Sequence, residues 1–231
     1  GILMKIFNKI LLVFIVIFIP LVLSSCGEKQ DDAPGVELIK SAKEAYEKLD
    51  SARLVIKDCD SGEVKQEFIF RYEGNVLTYS FKSVSSSGVY YEYNDGKSLQ
   101  IENGGEVKTY KWPSGNFKKY KRSKTHPNAS GGIFFYEPSC ISKVSVNPSG
   151  DGTMVDYEYD VKSLSKKMQT STSEGEMTAF QTRYIFDGDG NFSMLYETST
   201  FGDAVHTYTI EILDKNAVEK VENPIVSNAQ K

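Results

Sequence analysis

Three cysteines and two histidines are the residues of this chain best suited to covalent or metal chemistry. The histidines stand apart. His126 falls in a stretch rich in proline and glycine, and His206 in a segment with strand-like alternation. A hydrolytic triad needs a nucleophile, a base and an orienting acid brought together. No G-x-S-x-G elbow, H-E-x-x-H helix or C-x-x-C pair marks such a place. His206 therefore reads as an ordinary sheet residue, and zinc has no Cys/His cluster to hold it. Asp187-Gly188-Asp189-Gly190-Asn191 begins like a calcium loop. However, Phe192 stands where the sixth-position glycine belongs and Thr198 where the bidentate glutamate belongs. A plain β-turn is the reading of that segment. No metal, no cofactor and no enzymatic activity are expected.

Cys26 is different because of what precedes it. Lys5 and Lys9 lead into an unbroken apolar run from Ile10 to Leu23, closed by Leu23-Ser24-Ser25-Cys26. A charged start, a short apolar stretch and small residues at the boundary make a secretory signal over residues 1–25. Met4 is the expected start, with Gly1-Ile2-Leu3 upstream of it. Fourteen apolar residues fall short of the roughly 20 that a membrane-crossing helix needs. The competing reading is an uncleaved amino-terminal anchor with a bystander cysteine. A leucine three places before a cysteine, with two small residues between, resembles the lipobox of bacterial lipoproteins. That resemblance implies acylation of Cys26, which becomes the new amino terminus, and a tether to the outer face of the cell membrane of a Gram-positive-type bacterium.

Removal of residues 1–25 leaves 206, enough for one domain with a substantial core. The balance becomes 25 basic against 31 acidic residues, net −6, which argues against a nucleic-acid partner. The one basic cluster, Lys118-Lys119-Tyr120-Lys121-Arg122-Ser123-Lys124, reads as a solvated loop, with contact to anionic headgroups as the alternative. With Cys26 acylated, Cys59 and Cys140 are left as an even pair outside the cytoplasm. A bridge between them would close a loop of about 80 residues and stabilise by roughly 4 kcal/mol. Two buried free thiols are the alternative.

Certain elements must position any site. Gly27–Gly35 is polar, ends in proline and glycine, and reads with Cys26 as a lipidated, flexible tether over residues 26–35. Val36, Leu38, Ile39, Ala42, Ala45, Tyr46 and Leu49 recur at helical spacing and predict an amphipathic helix of about four turns ending near Asp50. From Ala52 to Trp112 the chain alternates as six strands with short connections, including the hairpin signal Asn94-Asp95-Gly96. Residues 113–132 break the pattern and read as a long loop. Beyond it come the apolar run Ile133–Tyr136 and strands over Cys140–Val146 and Met154–Tyr159. A short helix capped by Asp160 follows, with Val161, Leu164 and Met168 on one side. Strands over Ala179–Phe186, Phe192–Thr198 and Val205–Leu213 complete the pattern. A single domain over 36–226 and an extended tail over 218–231 are expected.

Helix, meander, loop, strands, short helix and three-stranded meander, opened by Ser41-Ala42-Lys43-Glu44-Ala45-Tyr46-Glu47-Lys48-Leu49-Asp50-Ser51, resembles LolA-like, LolB-like and LppX/LprG-like proteins. That resemblance implies an α+β half-barrel. Its strongly curved antiparallel sheet of about 10–11 strands is covered on the concave side by the amino-terminal helix and the short second helix. It also implies binding of acyl chains or lipoproteins there, although no arginine-based lipoprotein-binding signature can be placed in this chain.

Phe68, Phe70, Tyr79, Phe81, Tyr91 and Tyr93 are expected to line one side of the sheet. They read either as core beneath the first helix or as the lining of a groove, where a tyrosine ring can keep one end wet. The function expected is a monomeric, membrane-tethered binding module for an apolar or amphipathic ligand, a lipid or lipopeptide. The alternative is an interaction or sensor module that contacts another envelope protein and holds no internal ligand.

Overall fold

The computed structural model describes residues 33–74, 76–111, 133–134, 136–168 and 176–225. Cys26, the signal segment, His126, the basic cluster and the 113–132 loop therefore lie outside the described residues. Helix α1 (Val36–Glu47) precedes strands β1 (Ser51–Asp58), β2 (Val64–Glu73), β3 (Val76–Ser85), β4 (Gly88–Asn94), β5 (Ser98–Asn103) and β6 (Glu106–Lys111). A 3-10 turn (Pro138–Cys140) leads to β7 (Ile141–Ser149), β8 (Gly152–Tyr159), α2 (Val161–Met168), β9 (Met177–Phe186), β10 (Phe192–Phe201) and β11 (Ala204–Leu213).

The strands form one sheet in the order β6-β5-β4-β3-β2-β1-β11-β10-β9-β8-β7, so β6 and β7 end it and it does not close. This is the α+β half-barrel plan expected: eleven antiparallel strands with one helix before β1 and a second between β8 and β9. Among the described residues no helix is long and apolar enough to cross a membrane. The described residues divide between two compact units, one within Gly1–Glu44 and Asn128–Tyr208, the other within Ala45–Pro127 and Thr209–Lys231.

In the first unit, the amino-terminal part of α1 buries Val36, Ile39 and Ala42. Three contacts fix the approach to this helix. The Ala33 N–H donates to the Tyr136 hydroxyl (3.0 Å), and the Tyr157 hydroxyl donates to the Pro34 carbonyl (2.8 Å). Gly35, at φ +81°, lies so close to Val155 that a Cβ would sit 2.7 Å from a valine methyl. The tether read over 26–35 is thus pinned from Ala33 onward. Asp160 caps α2 as expected, its Oδ1 accepting from the backbone N–H of Lys162 (3.1 Å) and Ser163 (3.4 Å). Ile133 and Phe134, read as part of a short apolar run, are buried in a turn.

In the second unit, α1 ends earlier than its apolar spacing suggests. After Glu47 the backbone tightens, with N–H groups of Lys48 and Leu49 reaching back three residues to Ala45 and Tyr46. The six-strand meander follows with short turns. In the β4–β5 turn the Asn94 Oδ1 accepts from the Gly96 N–H (2.7 Å). Gly96 has φ +87°, and a Cβ there would fall 2.6 Å from Val76, so this turn requires glycine. After β11 the chain turns over residues 214–217 and then docks, as far as Ile225, on the second unit: the Arg71 Nη1 donates to the Val218 carbonyl (2.7 Å). Asn223 bonds Gln100 (2.8 Å), and Val221 and Ile225 are buried.

Of the two readings left open for the cysteine pair, a bridge or two buried thiols, the structure has both as free thiols. Cys59 is exposed in the turn after β1, and Cys140 is buried at the end of the 3-10 turn.

Candidate functional site

The aromatic face of the second unit is set by strand register. Phe68 pairs with Phe81 and Phe70 with Tyr79 across β2 and β3, while Leu54 and Ala52 on β1 sit opposite Phe68 and Phe70. Opposite residues share a face, so four of the six aromatic candidates come together. Phe68 stacks on Tyr79 (5.1 Å between ring centres) and lies 6.3 Å from Phe70 and 6.1 Å from Phe81. Tyr46 of α1 meets Phe70 edge-on at 6.0 Å.

Tyr91 and Tyr93 do not join them. On β4 it is Tyr90, Glu92 and Asn94 that pair with Ser83, Phe81 and Tyr79 and so lie on the aromatic face. Tyr91 and Tyr93 pair with Lys82 and Ser80 and point the other way. The physical reason is that the Glu92 carboxylate and the Asn94 carbonyl oxygen find partners on the inner side. Glu92 accepts hydrogen bonds from both the Tyr79 hydroxyl (3.0 Å) and the Tyr90 hydroxyl (2.5 Å), and Asn94 caps the turn. Burial first, then the Glu92 charge, pushes both phenols up from their ordinary range. Tyr93, on the opposite side, senses Asp95 and also Glu222 and Lys220 of the docked carboxy-terminal segment.

One end of the aromatic face is polar. Gln66, next but one to Phe68 on β2, is only 2% exposed. Neither of its amide atoms has a hydrogen-bond partner among the described residues, and the same holds for Asn94 Nδ2. An orphaned buried polar atom costs about 1–3 kcal/mol, and native proteins contain few of them.

The first unit presents a second buried face with a feature that the sequence reading missed. β10 turns Leu195, Glu197, Ser199 and Phe201 inward, and Glu197 is 3% exposed. It lies opposite Thr182 of β9, which in turn lies opposite Tyr157 of β8. Desolvation alone acts on the Glu197 carboxyl, and it raises its pKa to about 8. Burial also pushes up the hydroxyls of Tyr184 and Tyr159, and the Glu197 charge adds to both effects. Arg183, the cation nearest in sequence on β9, is on the opposite face, bonded to Asp156 at 2.6 Å.

Other candidates carry less. The Asp187 segment is a tight turn: Asp187 Oδ1 accepts from the backbone of Asp189 (3.0 Å) and Asn191 (2.8 Å). Among the described residues no three His, Cys, Asp or Glu side chains are placed to hold a metal ion. His206 sits in β11, its ring 6.3 Å from that of Phe201.

No family model matches this sequence. No curated protein matches it either. Among solved structures it is similar to the crystal structure of LprF from Mycobacterium bovis, with a TM-score of 0.47 and 8% identity, over 84% of this chain and 98% of that one.

Proposed function

We propose that this chain is an extracytoplasmic lipoprotein, acylated at Cys26, that holds an apolar or amphipathic ligand, a lipid or lipopeptide, without catalysing a reaction on it. The ligand lies against the face built by Phe68, Phe70, Tyr79 and Phe81, and Tyr91 and Tyr93 have no part in it. One observation carries this reading: the orphaned amide of Gln66 at the polar end of an otherwise aromatic surface. A purely structural core gains nothing from that side chain, whereas the hydrogen-bonding head of an amphipathic ligand satisfies it. Acyl surface against the rings would contribute about 25 cal/mol per Å² buried.

The test is to purify the full chain from membranes and identify co-purifying lipids by mass spectrometry, beside a Gln66→Leu variant. Stoichiometric lipid in the parent, reduced or changed in headgroup class in the variant, supports the reading. Lipid-free protein, with a variant that is simply more stable, refutes it.

A second reading, an envelope interaction module, draws on β6. This strand ends the sheet order, all six of its residues are exposed, and Val107 and Tyr110 are among its side chains. A terminal strand of this kind can add a strand from a partner. Pull-down from membranes with a Val107→Lys, Tyr110→Lys pair tests it, and an unchanged set of captured proteins rejects it.

A further inference from the structure

Glu197 calls for a separate explanation. It is used in no cap, no ion pair and no turn among the described residues, and desolvation is the only influence on it. The side chains that share its face on β8, β9 and β10 are Val, Tyr, Phe, Thr, Leu and Ser, without a lysine or arginine, and on β11, the other neighbour of β10, His206 lies beside Phe201 of that face. Arg183 could have faced it had β9 been shifted by one residue; instead that guanidinium is bound to Asp156 on the other side. A buried carboxyl without a counter-charge is expensive, and a leucine or glutamine of similar size would cost less. Chains retain such groups where they serve a site.

The surroundings indicate which ligand chemistry fits. Thr182 is directly opposite, with Phe180 and Tyr184 the flanking residues on β9. The Tyr159 ring lies 5.4 Å from that of Phe180 and 6.5 Å from that of Tyr157. Tyr159 and Tyr184 are both close enough to feel the Glu197 charge. Aromatic ring faces attract cations, and quaternary ammonium groups most characteristically. A carboxyl set among such rings, neutral while it keeps its proton, can release that proton when a cation arrives and so supply the full charge. An anionic head gains nothing from a carboxyl that burial keeps protonated, and a neutral alcohol gives it no counter-charge with which to ionise.

We infer that Glu197, with the rings of Tyr159 and Tyr184 beside it, forms a binding position for the cationic head, an amine or quaternary ammonium, of an amphipathic molecule. The inference rests on the proposed function only in that the interior admits a ligand. It concerns the first unit and uses none of the residues on the Phe68 face.

The experiment is calorimetric titration of the full chain, held in a non-ionic amphipol, with three probes of equal chain length: octyltrimethylammonium, octanol and octanoate. The expected order is cation first, alcohol weaker by about tenfold or more, and octanoate last. Glu197→Gln should bring the cation down to the level of the alcohol. Tyr159→Phe, which keeps the ring, should retain the preference, and Tyr159→Leu should weaken it, so the test survives if one variant fails to fold. Equal binding of cation and alcohol by the parent overturns the inference while leaving an apolar ligand in place. A cation preference that persists in Glu197→Gln overturns it as well, as does failure of all three probes to bind. The lipid co-purification test on the Phe68 face stands independently of each of these results.

Discussion

Replacing Glu197 by glutamine should remove a steep pH dependence from the stability of this protein. In the unfolded chain the carboxyl titrates near its ordinary value of 4.5, and in the folded protein burial holds it at about 8. Between those values the folded state keeps a proton that the unfolded state has lost, so unfolding releases a proton and stability falls as pH rises. The slope is about 1.4 kcal/mol per pH unit. From pH 5 to pH 7 the parent should therefore lose about 3 kcal/mol that Glu197→Gln does not lose, and above pH 8 the difference should level off. Glutamine keeps the shape and a polar end, so the difference between the two proteins cancels most other titrations. Urea unfolding at pH 5, 6, 7, 8 and 9, followed by circular dichroism, measures it. A difference that stays flat from pH 5 to 7 would show that the carboxyl titrates normally and is not desolvated. A difference of opposite sign would show a carboxylate held by a partner. Either result would also undercut the cationic site inferred above.

Phe70→Ala should cost about 3–5 kcal/mol, because the ring is fully buried against Tyr46 and Tyr72, whereas Tyr91→Ala on the opposite face should cost less than about 1.5 kcal/mol. Comparable losses in urea unfolding would contradict this strand register. Gly35→Ala should destabilise by more than about 1 kcal/mol, since it adds both a positive-φ penalty and a collision with Val155; an unchanged unfolding midpoint would mean that the pinned approach to α1 carries no strain. A thiol reagent should label Cys59 in the native protein and Cys140 only after denaturation, given the exposure of one and burial of the other. Native protein that yields no reactive thiol, but does so after reduction, would restore the disulfide.

Much of the fold was legible in local chemistry. Asn94-Asp95-Gly96 announced a hairpin, and the alternation from Ala52 to Trp112 announced half-buried strands; both signals depend on residues close in sequence. Facing is harder to read. On β4, Tyr90, Tyr91 and Tyr93 place aromatic rings on both sides, so alternation alone does not decide which side turns inward. The inward phase carries Glu92 and Asn94, which look like surface residues until the Tyr79 hydroxyl, supplied from another strand, is seen to satisfy the carboxylate. Glu197 was hidden by a different cause. Counted from Phe192, strict alternation places it on the water side, but the register slips between Phe192 and Met194 and reverses every later position of β10. The tail after β11 has few apolar residues, so the docking of Val221 and Ile225 left little trace in the sequence.

The bonds at Ala33 and Pro34 set the length of the leash. If Cys26 sits in the bilayer surface, the residues between it and Ala33 reach at most about 25 Å. The hydroxyls of Tyr136 and Tyr157 fix where that leash leaves the folded body. A body held within that reach of the surface would leave a hydrophobic molecule passing between bilayer and protein only a short distance of water to cross.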